Sequence, residues 1–247
     1  MSKLSTVTVN SISKQYKKAK HLSLNNVSFN IQVGDKLGIL GPNGAGKSTL
    51  ISILTGILDP TIGAVTYQNE KGEQIDGNDL KLKIGYVPQE YAIYEDLNLH
   101  QNVAYFGALY GLSKEEIIKV EEELLQEFGL EEAHLKKVKH YSGGMKRRLN
   151  LILSLLHKPE ILFLDEPTAG VDVQNKHAII QFLNQLSAKG TTLIYTSHHM
   201  DEAEQICNRI ILLNKGEIVK DTNIEYLMGE NPAESLTEIF LKYTEVH

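Results

Sequence analysis

Short stretches in which apolar and polar residues alternate open the chain. Val7 and Val9 alternate with threonines, and Val27 and Phe29 alternate with polar neighbours. This alternation predicts β-strands, because successive side chains of a strand point to opposite faces. The compact apolar run over 36–40 is instead typical of a strand that is buried on both faces. The first forty residues are therefore predicted to be largely β-structure.

Apolar residues that recur every three or four positions predict helices farther along the chain. The segment 47–58 is predicted to be helical, and the pattern is helical again between 93 and about 150. Within the second segment, Ser113 and Glu116 form a capping box, and another helix is predicted to begin at Gly143. Residues 92–150 therefore look like a helical insertion.

Strand patterns return after this insertion, at 160–164, 191–195 and 209–213, and helical segments separate them. Strands that alternate with helices are typical of a mostly parallel sheet covered by helices on both faces. The sequence therefore predicts an α/β fold.

Composition and charge narrow the possible functions. The chain has 247 residues, 42% of them hydrophobic, which suits one large domain with a substantial core. Its net charge of −6 gives no sign of a basic face for nucleic acid or anionic lipid. The single cysteine, Cys207, excludes a disulfide framework, and the most apolar stretch, 149–156, is too short to span a membrane. We expect a soluble cytoplasmic protein.

A glycine-rich motif follows the buried strand. Residues 41–48 match G-x-x-x-x-G-K-[ST] between a predicted strand and a predicted helix. The backbone N–H groups of such a loop surround phosphate oxygens, while Lys47 reaches the outer phosphates and the Ser48 hydroxyl binds Mg²⁺. The residues predicted to bind a nucleotide here are Gly41, Pro42, Asn43, Gly44, Ala45, Gly46, Lys47, Ser48 and Thr49.

Two carboxylates, Asp165 and Glu166, directly follow the apolar run at 161–164. At the carboxyl end of a strand in an open α/β sheet, they would lie at the ligand crevice. Asp165 is predicted to hold Mg²⁺, usually through water, and Glu166 to polarise the water that attacks the phosphate. The alternative interpretation is an acidic turn that merely ends a strand.

A second potential anion site lies at the start of the helix predicted at 143. Ser142, Gly143 and Gly144 would present N–H groups there, and six Lys or Arg with no acidic residue lie within 136–148. A solvated basic face beside an ordinary helix start is an equally good interpretation of this segment by itself.

Taken in this order, the motifs resemble the nucleotide-binding subunit of an ATP-binding cassette (ABC) transporter over nearly the whole chain. The resemblance implies ATP and Mg²⁺ as cofactors and a P-loop NTPase (RecA-like) core with a mostly parallel sheet. It also implies an N-terminal antiparallel β subdomain and an inserted α-helical subdomain. The single domain 1–247 would comprise the core with its β subdomain at 1–91 and 151–222, the helical subdomain at 92–150, and a helical tail at 223–247.

Several further residues match motifs of that family. Tyr16 is similar to an aromatic residue that stacks on adenine, and Gln89 to a glutamine that contacts Mg²⁺ and the attacking water. His198 matches the histidine at the γ-phosphate, and Asp172 ends a loop that crosses the dimer interface. Residues 141–145 resemble the signature sequence, with methionine in place of the commoner glutamine.

These single-residue assignments have ordinary alternatives. Tyr16 could equally be a strand-edge tyrosine, and Gln89 a turn residue after a proline. His198 and His199 are adjacent, and only the alignment of the motif selects His198.

The resemblance also implies partners. In that family two cassettes join head to tail, and each signature helix covers the ATP held by the phosphate loop of the other chain. The expected partners are a second copy of this chain or a related cassette, and an integral membrane permease on a separate chain. The chain would then be peripheral on the cytoplasmic face of the membrane.

Three functional classes remain in competition: the ATPase subunit of a transporter, a soluble cassette acting on ribosomes or nucleic acid, and a regulator with little ATPase activity. A single phosphate loop and the acidic net charge count against the second class, and Glu166 counts against the third. The signature region and the segment 236–244 resemble exporter cassettes. An exporter of unspecified cargo is therefore predicted.

The helical insertion is the expected docking surface for the permease. Tyr91, Ile93, Tyr94 and Leu97 place aromatic and aliphatic groups in the segment that connects it to the core. The alternative is that these residues simply anchor the insertion.

Overall fold

Two β-sheets of different type form the framework of the protein in this computed structural model, which describes residues 3–244. The strands are β1 (Leu4–Lys14), β2 (Leu24–Gln32), β3 (Lys36–Leu40), β4 (Ile62–Asn69), β5 (Gln74–Ile75), β6 (Ile84–Val87), β7 (Ile161–Asp165), β8 (Thr192–Ser197), β9 (Arg209–Asn214) and β10 (Glu217–Asn223). One sheet is four-stranded in the order β2-β1-β4-β5, and the other is six-stranded in the order β10-β9-β3-β8-β7-β6.

The two sheets differ in strand direction. All pairs of the smaller sheet are antiparallel. In the larger sheet, β9, β3, β8, β7 and β6 run parallel to one another, and only β10 is antiparallel, as the second strand of a hairpin. The prediction of an α/β fold with a mostly parallel sheet and an N-terminal antiparallel sheet is confirmed.

The helices described are α1 (Lys47–Leu54), α2 (Gly77–Lys81), α3 (Leu99–Leu109), α4 (Lys114–Phe128), α5 (Gly143–Leu155), α6 (Val173–Ala188), α7 (Met200–Ile206), α8 (Ile224–Glu230) and α9 (Leu236–Thr244). The predicted capping box of α4 is present, because Ser113 accepts from the N–H of Glu116, whose side chain accepts in turn from the N–H of Ser113. The α5 helix begins at Gly143, as predicted.

Each central strand separates two apolar clusters. In β7, Ile161 and Phe163 pack in the cluster between the two sheets, whereas Leu162 and Leu164 pack in the cluster on the helical side. Because both faces of this strand are covered, its sequence is a continuous apolar run without the alternation seen in β2.

The first helix is shorter than predicted. The segment 47–58 was expected to be helical throughout, but α1 ends at Leu54. Gly56 adopts a left-handed conformation with φ of 71°, the N–H of Ile57 donates to the carbonyl of Ser52, and the N–H of Gly56 donates to the carbonyl of Ile53. This Schellman arrangement satisfies the last carbonyls and turns the chain out of the helix.

Other boundaries also differ from the sequence pattern. Residues 93–97 are not helical, and α3 begins only after Asn98, which forms a capping box with Gln101. The boundary predicted between 150 and 151 lies inside α5, so one helix joins the predicted insertion to the core. Residues 1–2 and 245–247 of the predicted single domain, including the end of the predicted tail, lie outside the described residues. Within residues 3–244, no helix is both long and apolar enough to cross a bilayer.

Replacement of Phe163 by alanine should lower the free energy of unfolding by about 3–5 kcal/mol, because this fully buried ring leaves a cavity between the sheets. Urea unfolding followed by circular dichroism measures the change. Ile57→Ala is the control, since Ile57 is 65% exposed, and its effect should stay within about 0.5 kcal/mol. Equal effects of the two substitutions would contradict this description of the core.

Candidate nucleotide-binding site

The phosphate loop lies between β3 and α1, and its glycines are required by space. A Cβ at Gly41 would lie 2.3 Å from the carbonyl oxygen of Leu213, and a Cβ at Gly46 would lie 2.5 Å from that of Ser23. Gly46 also has a φ of 107° and is the N-terminal cap of α1. The backbone therefore turns tightly into the helix, whose first N–H groups remain available for an anion.

The Lys47 side chain folds back across this loop. Its Nζ donates to the carbonyl oxygens of Gly41 and Pro42, at 2.8 and 3.2 Å, and lies 3.7 Å from Oε1 of Glu166. Burial lowers the pKa of Lys47 from its ordinary value, while the negative charges of Glu166 and Asp165 oppose this change. The ammonium group is thus held at the mouth of the loop.

Asp165, the last residue of β7, faces the start of α1. Its Oδ1 accepts a hydrogen bond from the Ser48 hydroxyl at 3.3 Å and another from the Thr196 hydroxyl at 2.7 Å. Mg²⁺ takes oxygen ligands and is commonly held by one or two carboxylates together with the phosphates of a substrate. A hydroxyl and a carboxylate that converge beside a phosphate loop therefore fit Mg²⁺ by their chemistry.

Glu166 stands at the centre of a cluster of predicted residues. Its Oε1 lies 3.1 Å from Nδ1 of His198, and its Oε2 accepts from the Gln89 side chain at 3.3 Å. Its backbone has a φ of 47°, a left-handed conformation that costs about 1–2 kcal/mol in a residue with a Cβ. The N–H of Glu166 is bonded to both the carbonyl and the hydroxyl of Thr196, and these contacts offset the strain.

These groups share one cleft of about 460 Å³. It is lined by Ser23, Asn43, Gly44, Gly46, Lys47, Ser48, Thr49, Gln89 and Glu166. Ala45 is buried beneath the loop. Tyr16 lies beside the cleft and is 44% exposed, and its hydroxyl is 3.3 Å from that of Thr49.

The second predicted anion site has a different location. Ser142 is the N-terminal cap of α5, and its hydroxyl accepts from the N–H of Met145 at 3.2 Å. Gly144 packs against the side chain of Asn175, which in turn donates to the carboxylate of Asp172 at 2.6 Å. The signature segment and Asp172 therefore lie together, and none of them is among the described residues that line the Lys47 cleft.

Some residues of the site escaped the sequence analysis. Thr196 was assigned only to a strand, although its hydroxyl joins Asp165 to Glu166. Arg147 was counted as part of a basic stretch, yet it is buried and donates to the carbonyls of Pro88 and Gln89. A polar residue within an apolar strand was the available signal for Thr196. No local signal distinguishes Arg147 from its basic neighbours.

A buried carboxylate, Glu202, joins the elements behind the site. It accepts from the hydroxyls of Thr168 and Tyr195 and pairs with Lys176 at 2.6 Å. Burial raises its pKa, but Lys176 and the two hydroxyls together hold the pKa below its ordinary value. The turn after Glu166, the α6 helix and the helix after His198 are thereby fixed to one another.

Comparisons with known proteins agree with this geometry. A family model described as "ABC transporter" matches residues 24–169. The linearmycin resistance ATP-binding protein of Bacillus subtilis is 42% identical over 211 residues, 84% of this chain and 66% of that protein. The Nod factor export ATP-binding protein I of Burkholderia lata is 34% identical over 239 residues, 91% of this chain and 78% of that protein.

A solved structure shows the same fold. It is a dimeric ATP-binding cassette in a post-hydrolysis state with ADP and Pi, and it matches 88% of this chain and 98% of its own with a TM-score of 0.78 and 28% identity. The chain thus spans just under two thirds of the linearmycin relative and nearly all of the solved cassette.

Lys47→Ala should weaken the binding of Mg-ATP by at least about tenfold, because the ammonium group at the mouth of the phosphate loop is lost. Isothermal titration of the purified chain measures the affinity. The control is Lys189→Ala, since Lys189 pairs with Glu127 on the surface, away from the loop. Wild-type affinity in the Lys47 variant would overturn the assignment of this loop.

Proposed function

This chain belongs to the ABC transporter family, and we propose that it is the ATP-binding and ATP-hydrolysing subunit of a transporter whose permease is a separate chain. The observation that carries the proposal is the convergence of Lys47, Asp165 and Glu166 on one cleft. These three groups supply the charge and the base that phosphoryl transfer requires.

Each group has a proposed task in hydrolysis. Lys47 neutralises phosphate charge, and Ser48 and Asp165 hold Mg²⁺. Bound there, Mg²⁺ supplies positive charge that stabilises the phosphate oxygens during transfer. Glu166 accepts the proton of the attacking water, while Gln89 and His198 contact its two carboxylate oxygens and hold it in place. Tyr16, exposed beside Thr49, is placed to stack on the base of the nucleotide.

A second cassette would complete each ATP site. Ser142, Gly143 and Gly144 present the N-terminus of α5 beside Asp172, away from the cleft of their own chain. In a head-to-tail dimer this surface faces the nucleotide of the partner. The similarity to a dimeric ATP-binding cassette supports this arrangement.

The proposed permease would dock on the aromatic cluster formed by Tyr94, Tyr105 and Phe106. The rings of Tyr94 and Tyr105 lie 5.0 Å apart, and these two side chains are 46% and 45% exposed. Ile93, in contrast, packs against the helical-side core, so the anchoring interpretation fits it better. The resistance and export functions in the names of the relatives favour an exporter. The chain would then lie at the cytoplasmic face of the membrane.

Glu166→Gln should bind Mg-ATP normally but hydrolyse it at least about a hundredfold more slowly, because an amide cannot accept the proton of water. Phosphate release and nucleotide titration measure the two properties, and light scattering should show a dimer that persists with ATP. Glu122→Gln, on the exposed face of α4, is the matched control. Near-normal turnover in the Glu166 variant would remove it from the role of base.

Tyr94→Glu should reduce recovery of the chain with membranes of its native cells several-fold and leave Mg-ATP affinity unchanged. A charge placed in the aromatic cluster would oppose burial of that surface against a membrane protein. Membrane fractionation after crosslinking measures recovery. Tyr226→Glu changes another exposed tyrosine, on α8, and serves as the control. Recovery with ribosomes or nucleic acid instead of membranes would favour the soluble cassette.

A further inference from the structure

Arg147 is a buried cation with no anionic partner. Its side chain lies in α5 and is 2% exposed. In the part of the chain that the structure describes, it takes part in none of the ion pairs with carboxylates. A charge held in this way is costly unless other groups satisfy it. Its satisfying groups therefore indicate its purpose.

Those groups all belong to one short segment. The guanidinium donates to the carbonyl of Pro88 at 2.9 Å and to that of Gln89 at 2.7 Å, and it lies 4.9 Å from the ring centroid of Tyr91. Two carbonyls bridged by one planar guanidinium fix the direction of the backbone at Gln89. Lysine, which has a single nitrogen at its tip, cannot reproduce this geometry.

Two more contacts attach the same segment to α5. The N–H of Ala92 donates to the Asn150 side chain at 3.1 Å, and the Tyr91 hydroxyl donates to the carbonyl of Gly143 at 3.3 Å. The segment 88–92 is therefore held by α5 along its length, and a shift of α5 must move it.

Gln89 passes this connection to the hydrolytic site. Its backbone is held by Arg147, and its side-chain amide donates to Oε2 of Glu166. A continuous path of contacts thus leads from the N-terminus of α5, through Arg147 and Gln89, to the carboxylate of Glu166.

The neighbouring basic residues make different contacts. Lys146 pairs with Glu95 at 2.5 Å, and Arg148 donates to the carbonyl of Phe128 within the helical part of the molecule. Neither contacts the segment 88–92. The role inferred for Arg147 is therefore specific to this one basic residue of the helix.

We propose that Arg147 is a positioning residue that holds Gln89 against Glu166 and ties this contact to the position of α5. This inference rests on the proposed function, in which the N-terminus of α5 serves the nucleotide of the partner chain. One side chain would then connect the signature segment, at one ATP site of a dimer, to the base of the other site.

A double-mutant cycle on the full chain tests the proposal. Arg147→Met should lower kcat for Mg-ATP by at least about tenfold and leave KM within about twofold, since the phosphate loop is intact. In a Gln89→Ala background, Arg147→Met should change kcat by less than about twofold, because the group through which Arg147 acts is already absent. Arg147→Lys should have an intermediate kcat, and it replaces the methionine variant in the cycle if that variant does not fold.

A second measurement does not depend on hydrolysis. The only cysteine in the sequence, Cys207, is buried, so a cysteine introduced by Glu90→Cys can be labelled selectively with a fluorophore. Arg147→Met or Arg147→Lys should lower the fluorescence anisotropy of this label, because the segment next to Gln89 is released. Lys146→Met, which removes a charge from the same helix, should leave both anisotropy and kcat unchanged.

The outcomes separate the two levels of the argument. Absence of ATPase activity in the wild-type chain would overturn the proposed function, while the anisotropy would still report on Arg147. Wild-type kcat and anisotropy in the Arg147 variants would overturn the inference alone. An undiminished effect of Arg147→Met in the Gln89→Ala background would also overturn it, since Arg147 would then act by another route.

Discussion

Parallel strands that are covered on both faces end at the same edge of their sheet, and the whole site depends on this constraint. The strands β3, β8, β7 and β6 are consecutive neighbours in the six-stranded sheet. The chain leaves their carboxyl ends at the phosphate loop, at His198, at Glu166 and at Gln89, respectively. Residues far apart in sequence thus meet because their strands pair side by side, and the apolar clusters on either side fix the register of that pairing.

Polar groups then fix individual side chains at this edge. Thr196 hydrogen-bonds to both Asp165 and Glu166, so the two carboxylates cannot rotate independently. Glu166 sits in a left-handed backbone conformation between two such constraints, one from β8 and one from the side chains of Gln89 and His198. A carboxylate held in this way loses little further freedom when a reaction begins, which is the physical meaning of a preorganised site.

The sequence predicts those parts of the molecule whose signals are local. The strand at 36–40, the capping box at Ser113 and the phosphate loop are all set by residues within a few positions of one another, and the structure has them as predicted. The end of α1 was missed because Gly56 stops the helix through its conformation, while Ile57 and Leu58 continue the apolar pattern. Arg147 was missed for a different reason: its acceptors lie 59 and 58 residues away in the chain. Long-range hydrogen bonds leave no periodic signal in a sequence.

The close packing of Gly144 on Asn175 has a consequence for association. A Cβ at Gly144 would lie 2.8 Å from the Asn175 side chain, so the amino ends of α5 and α6 touch with no space for even a methyl group. The signature segment and the loop ending at Asp172 therefore form one rigid surface within each monomer. A partner that binds this surface meets two elements already ordered relative to each other, and the entropy of aligning them has been lost during folding. The hydrogen side chain of one glycine thus lowers the entropic cost of dimerisation.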